Sequence, residues 1–262
     1  MKKVLCSLSV VILATASASP CLAADSPWNG TWKLNEAKSK LTGNTFTYTA
    51  KPTGGYHYSN GSSLEYDFAC DGKDYPTLAN RTVACTASGD SVFDTTVKVD
   101  GKPYSMIHRV ISPDGKSMTT TATGKQPDGT PFTDKTTSIR ITGSKGLAGE
   151  WKTAKTSSNT SDIVIIKAQS DWQHVEGPGF KETMDYKLDG SDAKLSGPLM
   201  PTGASMGVTA EGPRKVLFSE KLNGKLFGEG TRTLSADGKY YTEEVWSAGK
   251  KSEKEVLIYE KQ

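Results

Sequence analysis

Thr96 to Lys116 reads TVKVDGKPYSMIHRVISPDGK, and Ser219 to Lys239 reads SEKLNGKLFGEGTRTLSADGK. Laid over each other without a gap, the two segments match at Lys98/Lys221, Gly101/Gly224, Lys102/Lys225 and Arg109/Arg232. The block Ser112, Asp114, Gly115, Lys116 then matches Ser235, Asp237, Gly238, Lys239. Working outward, Gly30-Thr31-Trp32-Lys33 answers Gly149-Glu150-Trp151-Lys152, and Asp71-Gly72 answers Asp189-Gly190. The chain is a duplication, so whatever fold one half adopts must be built twice.

The punctuation of the repeat says which fold. Asn60-Gly61, Asp71-Gly72, Asp100-Gly101, Asp114-Gly115 and Asp128-Gly129 divide the first half, and Asp189-Gly190, Asn223-Gly224 and Asp237-Gly238 the second. Asp or Asn followed by Gly tolerates the positive φ of hairpin turns better than other pairs. Between the turns apolar residues recur at every second position, as in Phe46/Tyr48, Tyr56/Tyr58, Leu64/Tyr66/Phe68 and Met184/Tyr186/Leu188. That is the period of half-buried antiparallel strands. Helical signal is confined to Asn35–Leu41, enough for one turn. Short strands joined in sequence by tight turns bury one face by closing on themselves. The expected fold is all-β: two tandem antiparallel up-and-down barrels spanning residues 24–145 and 146–262, with Thr142–Leu147 as the link.

Met1-Lys2-Lys3, the apolar run Val4–Ala16 and the small-residue exit Cys21-Leu22-Ala23 have the three parts of a secretory signal peptide over residues 1–23. Ser17, Ser19 and Pro20 cut the run short of the roughly 20 apolar residues of a membrane span. The chain is therefore expected in a bacterial periplasm or beyond. Without Lys2 and Lys3, 30 basic side chains face 29 acidic ones, a balance that gives no reason to expect nucleic acid as partner. Cys70 and Cys85 remain, and in an oxidising compartment they are expected to pair. Closing a loop of that length is worth roughly 3 kcal/mol in the chain-entropy treatment.

Gly30-Thr31-Trp32-Lys33-Leu34 resembles the opening strand of the calycins, the lipocalins and fatty-acid-binding proteins, in which a Gly-x-Trp tryptophan plugs the closed end of the barrel. Arg232-Thr233-Leu234-Ser235-Ala236-Asp237-Gly238-Lys239 resembles the Arg-x-Leu-x-Asp-Gly-Lys hairpin of fatty-acid-binding proteins, with one extra residue. Tyr259-Glu260-Lys261 resembles their terminal strand. Leu257 stands where that family has a carboxylate-binding arginine, and Leu34 to Phe46 is too short for their helical lid. The chain is also similar to secreted bacterial proteins of unknown function with the same Gly-Thr-Trp-Lys and Ser-x-Asp-Gly-Lys phrases. The resemblance implies a barrel that takes a small apolar or amphipathic molecule.

Candidate site residues follow from the alternation. Arg109 and Arg232 share a phase with Ile107, Ile111 and Leu234, so if those point inward the arginines do too. A buried guanidinium needs an anionic partner, either a ligand carboxylate or a neighbouring acid. Tyr259 is a possible helper, and His57 and His174, flanked by aromatic or amide residues on corresponding strands, could join a pocket. The alternatives are an isomerase, cyclase or hydrolase using a histidine as acid or base, and an envelope interaction module with filled barrels. Gly203-Ala204-Ser205-Met206-Gly207 has the spacing of a nucleophile elbow, but all three histidines precede Ser205 and no helix follows, so it reads as a glycine-rich loop. No metal site or cofactor is implied, because the histidines are scattered and the Asp-Gly pairs offer too few oxygen ligands for calcium. Lys250–Glu255 mixes charges and reads as a solvated hairpin tip.

Overall fold

The computed structural model describes residues 26–262 except 42, 62, 63, 161 and 170, so the expected signal peptide lies outside the described residues. Gly30 to Arg140 forms β1 (Gly30–Leu34), β2 (Thr45–Ala50), β3 (Tyr56–Ser59), β4 (Glu65–Phe68), β5 (Asp71–Pro76), β6 (Arg81–Ser88), β7 (Val92–Val99), β8 (Lys102–Ile111), β9 (Ser117–Lys125) and β10 (Pro131–Arg140). Gly149 to Lys261 forms β11 (Gly149–Ser158), β12 (Ile163–Gln169), β13 (Trp172–Gly177), β14 (Glu182–Lys187), β15 (Asp189–Lys194), β16 (Ala204–Ala210), β17 (Lys215–Leu222), β18 (Lys225–Leu234), β19 (Tyr240–Ser247) and β20 (Glu255–Lys261). The only helical element among the described residues is one short 3₁₀ turn, Lys251–Glu253. No helix among them is long and apolar enough to cross a membrane.

The strands make two ten-stranded antiparallel sheets, each rolled into a nearly closed barrel. In both, neighbours in sequence are neighbours in space, and the ladder lapses at one place: between β4 and β5 in one barrel, and between β14 and β15 in the other. The disulfide Cys70–Cys85, with its sulfurs 2.05 Å apart, ties the end of β4 to β6 across the first lapse. At the matching lapse the equivalent positions are Leu188 and Val208, both packed in that barrel's apolar core without a covalent link.

Sheet membership does not follow the two halves of the sequence. The opening strand β1 pairs with β12 and β20, with Gly30 opposite Ile166 and Trp32 opposite Lys261. Its repeat β11 pairs instead with β2 and β10, with Trp151 opposite Phe46 and Arg140. One barrel is thus the unbroken segment 45–158, inserted into a second barrel assembled from 30–34 and 163–261. A cut at 145/146 would part both exchanged strands from the sheets in which they pair. Between β1 and β2 the described residues include a turn at 36–38 and a bridge from Lys40 to Val256, after which the chain enters β2 on the other sheet.

Both exchanged tryptophans are fully buried. The Trp32 indole donates to the Trp28 carbonyl at 3.0 Å and the Trp151 indole to the Leu147 carbonyl at 2.8 Å. A cation lies over each ring: Lys261 Nζ is 5.2 Å from Trp32, and the Arg140 guanidinium 4.0 Å from Trp151. Each indole belongs to the apolar core of its barrel. The two barrels meet where Glu253 accepts from the Thr45 N–H at 3.1 Å, Asn44 donates to Glu255, and Arg81 donates to the Leu199 carbonyl at 2.7 Å. Lys250–Glu255, expected in solvent, is therefore a hairpin resting on the inserted barrel.

Six of the eight Asp-Gly and Asn-Gly pairs named above resolve into three devices, each used once in either half. Asp100-Gly101 and Asn223-Gly224 have positive φ at both residues (50° and 74°, 50° and 79°), the type I′ requirement. The shared Ser-x-Asp-Gly-Lys block is a capped turn: Ser112 Oγ donates to Asp114 at 2.6 Å, which accepts from the Lys116 N–H at 3.0 Å. Ser235, Asp237 and Lys239 repeat it at 2.7 and 3.1 Å. Asp71-Gly72 and Asp189-Gly190 begin β5 and β15, at bulges in their ladders. Ser205 lies in strand β16 rather than in a loop.

Candidate ligand-binding site in the inserted barrel

Residues of the segment 45–158 line an open pocket of about 300 Å³. Phe46, Tyr48, Tyr58, Leu64 and Tyr66 form one wall; Ile107, Arg109, Met118, Thr120, Thr136 and Ser138 form the other. The aromatic wall packs on itself, with ring centroids 5.0 Å apart for Tyr58/Tyr66 and 5.2 Å for Tyr48/Tyr58. Arg109 reaches in from β8 and donates from Nη1 to Thr95 Oγ1 at 2.9 Å. No acid pairs with it among the described residues, so its remaining donors are available to the cavity.

The split barrel shows what fills the same space. The gapless alignment places Thr95 opposite Phe218, Met118 opposite Tyr241, Thr120 opposite Glu243, and, through the cross-strand pairs Met118/Ser138 and Tyr241/Tyr259, Ser138 opposite Tyr259. Both halves keep the arginine facing the same partner position, Arg109 opposite Thr120 and Arg232 opposite Glu243. In the split barrel that position carries a carboxylate, and Arg232 Nε donates to Glu243 Oε2 at 2.5 Å, with both side chains about 13–14 % exposed. Phe218 lies under the guanidinium at 5.0 Å, in space left by Gly230, where a Cβ would meet the ring at 2.1 Å. Tyr241 stacks on Tyr259 at 4.8 Å, and the Tyr259 hydroxyl donates to Asp162 at 2.7 Å. Four large side chains in one barrel are thus four smaller ones in the other. The difference is a cavity with a cation facing it.

Electrostatics sharpen the contrast. Burial raises the pKa of Tyr58 and Tyr66, reinforced by neighbouring tyrosines and opposed by Arg109, so both hydroxyls stay protonated at neutral pH. In the split barrel burial works to lower the pKa of Arg232, but Glu243, Tyr186 and Tyr241 more than offset it, and the guanidinium remains charged. Several part-buried acids there titrate above their ordinary values. Burial raises Asp162 and Glu220, and it pushes Glu182 up to about 7, with Asp162 adding to the rise and Arg81 opposing it. A carboxyl whose folded pKa lies above its unfolded one stabilises the fold below the unfolded value, and that contribution is lost as pH rises through the folded value. For Glu182 the window is about pH 4.5 to 7. Because the group is partly solvated, its share is discounted to about 1–2 kcal/mol. Thermal unfolding across this window should show the protein losing stability toward pH 8, and Glu182→Gln should flatten the profile. An unchanged slope in the variant would remove Glu182 as the source.

The remaining residues singled out in the sequence lie elsewhere. Tyr259 belongs to the split barrel, with Arg232 and away from Arg109. His57 lies between the inward Tyr56 and Tyr58 and so points outward, 41 % exposed and 2.8 Å from Asp67. His174 follows Gln173, which is buried and bonded to Tyr186, and so faces out toward Asp185 and Glu176 at 2.7 and 3.1 Å. His108, next to the inward Arg109, pairs outside with Asp94 at 2.7 Å. Thr95, Thr120 and Ser138 are not among the residues singled out in the sequence; running the alignment past its two ends pairs Thr95 with Phe218 and Thr120 with Glu243, whereas Ser138 meets its counterpart only through the cross-strand pairs. Among the described residues no group of histidine, cysteine and carboxylate side chains could hold a metal ion. No protein-family model, curated protein or solved structure matches the chain.

Proposed function

We propose that this is an exported, non-enzymatic binding protein of calycin-like build whose inserted barrel holds a small amphipathic anion. Arg109 takes the carboxylate, Thr95 and Thr120 flank it, and the tyrosine wall covers the apolar part. The observation that carries this reading is the exchange of Glu243 for Thr120: the two arginines are equivalent, and only Arg232 is neutralised within the chain. A part-buried guanidinium that faces a pocket without an acid is a site for one. The split barrel, filled by its own side chains, serves as scaffold. The outward placement of all three histidines favours binding over acid–base chemistry.

At roughly 30 Å³ per water-sized group, the cavity holds a ligand of about ten non-hydrogen atoms, the size of octanoate. Arg109→Met should weaken octanoate binding about ten- to a hundred-fold, the worth of a charged hydrogen bond of about 1.5–3 kcal/mol. Binding of methyl octanoate should change little. Thr120→Glu, which recreates the split barrel's ion pair, should act in the same direction. Isothermal titration of the three proteins decides the matter, and equal losses for the acid and its ester would remove Arg109 from the proposed role.

A further inference from the structure

A second cleft, of about 280 Å³, lies where the two barrels meet. Asn44, Thr45, Phe46, Tyr58, Asn60 and Thr153 of the inserted barrel line one side, and Ser247, Lys250 and Glu253 of the β19–β20 hairpin line the other. Phe46 and Tyr58 also line the inner pocket, so the two spaces share a wall. Their chemistry differs. The inner cavity is largely aromatic and aliphatic around one cation, whereas the cleft is polar and balanced in charge. Lys250 Nζ lies 3.1 Å from Thr45 Oγ1 and 3.4 Å from Glu253, while Glu253 accepts from both the N–H and the hydroxyl of Thr45. The hydroxyls of Ser247 and Thr153 make no hydrogen bond among the described residues and are free to bind a guest.

We propose that this cleft is a second subsite, built jointly by the two barrels, for an uncharged hydroxyl-bearing end of the same ligand. The proposal rests on the anion-binding reading above. A ligand whose carboxylate sits at Arg109 and whose chain outgrows the inner cavity leaves it past Phe46 and Tyr58, and its far end meets Ser247, Thr153 and Lys250. A bare methyl there would desolvate these groups without satisfying them. A second carboxylate would meet Glu253 across the cleft. The preferred class is therefore an ω-hydroxylated or similarly polar-ended medium-chain acid, rather than a simple fatty acid or a diacid.

The test is calorimetric titration of the full chain with four probes: octanoate, decanoate, ω-hydroxydecanoate and decanedioate. The expected result is that ω-hydroxydecanoate binds about three- to ten-fold more tightly than decanoate and than decanedioate. Ser247→Trp, which fills the cleft, should abolish that preference and leave octanoate affinity unchanged. Thr153→Val, a smaller change, should reduce the preference if the tryptophan variant does not fold. Binding of octanoate and decanoate with no preference for the hydroxy acid would overturn the second subsite alone. A preference for decanedioate would do the same. Failure of all four acids to bind would overturn the anion-binding reading together with it.

Discussion

Glu243→Ala is expected to destabilise the protein by about 3–5 kcal/mol, because it leaves the Arg232 guanidinium buried without its carboxylate. The pair is about 13–14 % exposed and lies inside the split barrel, so water cannot replace the lost partner without entering the core. The double variant Arg232→Met/Glu243→Leu should recover most of the loss, since replacing both members of a buried pair with apolar groups of similar size is often neutral. Denaturant unfolding of the single and double variants measures both. Equal losses would mean that packing rather than charge governs the site. By the same arithmetic, under the proposed function octanoate at the inserted barrel, where Thr120 stands in place of the acid, would supply from outside what Glu243 supplies from within.

Trp32→Ala should cost a further large amount, about 3–5 kcal/mol, as expected for emptying the space of a fully buried large aromatic. Its location makes the result diagnostic. Trp32 lies in the first half of the sequence but pairs with β12 and β20, so amide exchange should accelerate in residues 163–169 and 255–261 and be little changed in 45–158. Trp151→Ala should give the reverse, loosening β2 and β10. If each substitution instead loosened its own half of the sequence, the exchange of first strands would be wrong.

The duplication, the strand period and most turns were legible because they are local: alternation and Asp-Gly chemistry act within a few residues. The inward phase of Arg109 and Arg232 was legible for the same reason. The partner of each arginine was not obvious, since it lies on the next strand, yet it could have been found by extending the repeat from Lys116/Lys239 to Thr120/Glu243. His57 and His174 were set in the pocket by their aromatic and amide neighbours, although those neighbours, by pointing inward, turn the histidines out. The strand exchange had no signal at all, because β1 and β11 carry the same Gly-x-Trp-Lys and either would fit either sheet. Lys250–Glu255 looked solvated because a mixed-charge tip gives no hint of a neighbouring barrel that supplies Thr45 and Asn44 as its partners.

The insertion of one barrel within the other also sets an order of assembly. The inserted barrel has all its strands once residue 158 has emerged, whereas β1, among the first strands made, cannot meet β20 until residue 261 is available. At the roughly 5–20 residues per second of synthesis, the interval is about 5–20 s. Through most of that time β1 has β12 along one edge but no partner along the other, and the β19–β20 hairpin that bonds Asn44 and Thr45 of the finished barrel is among the last pieces of the chain to arrive.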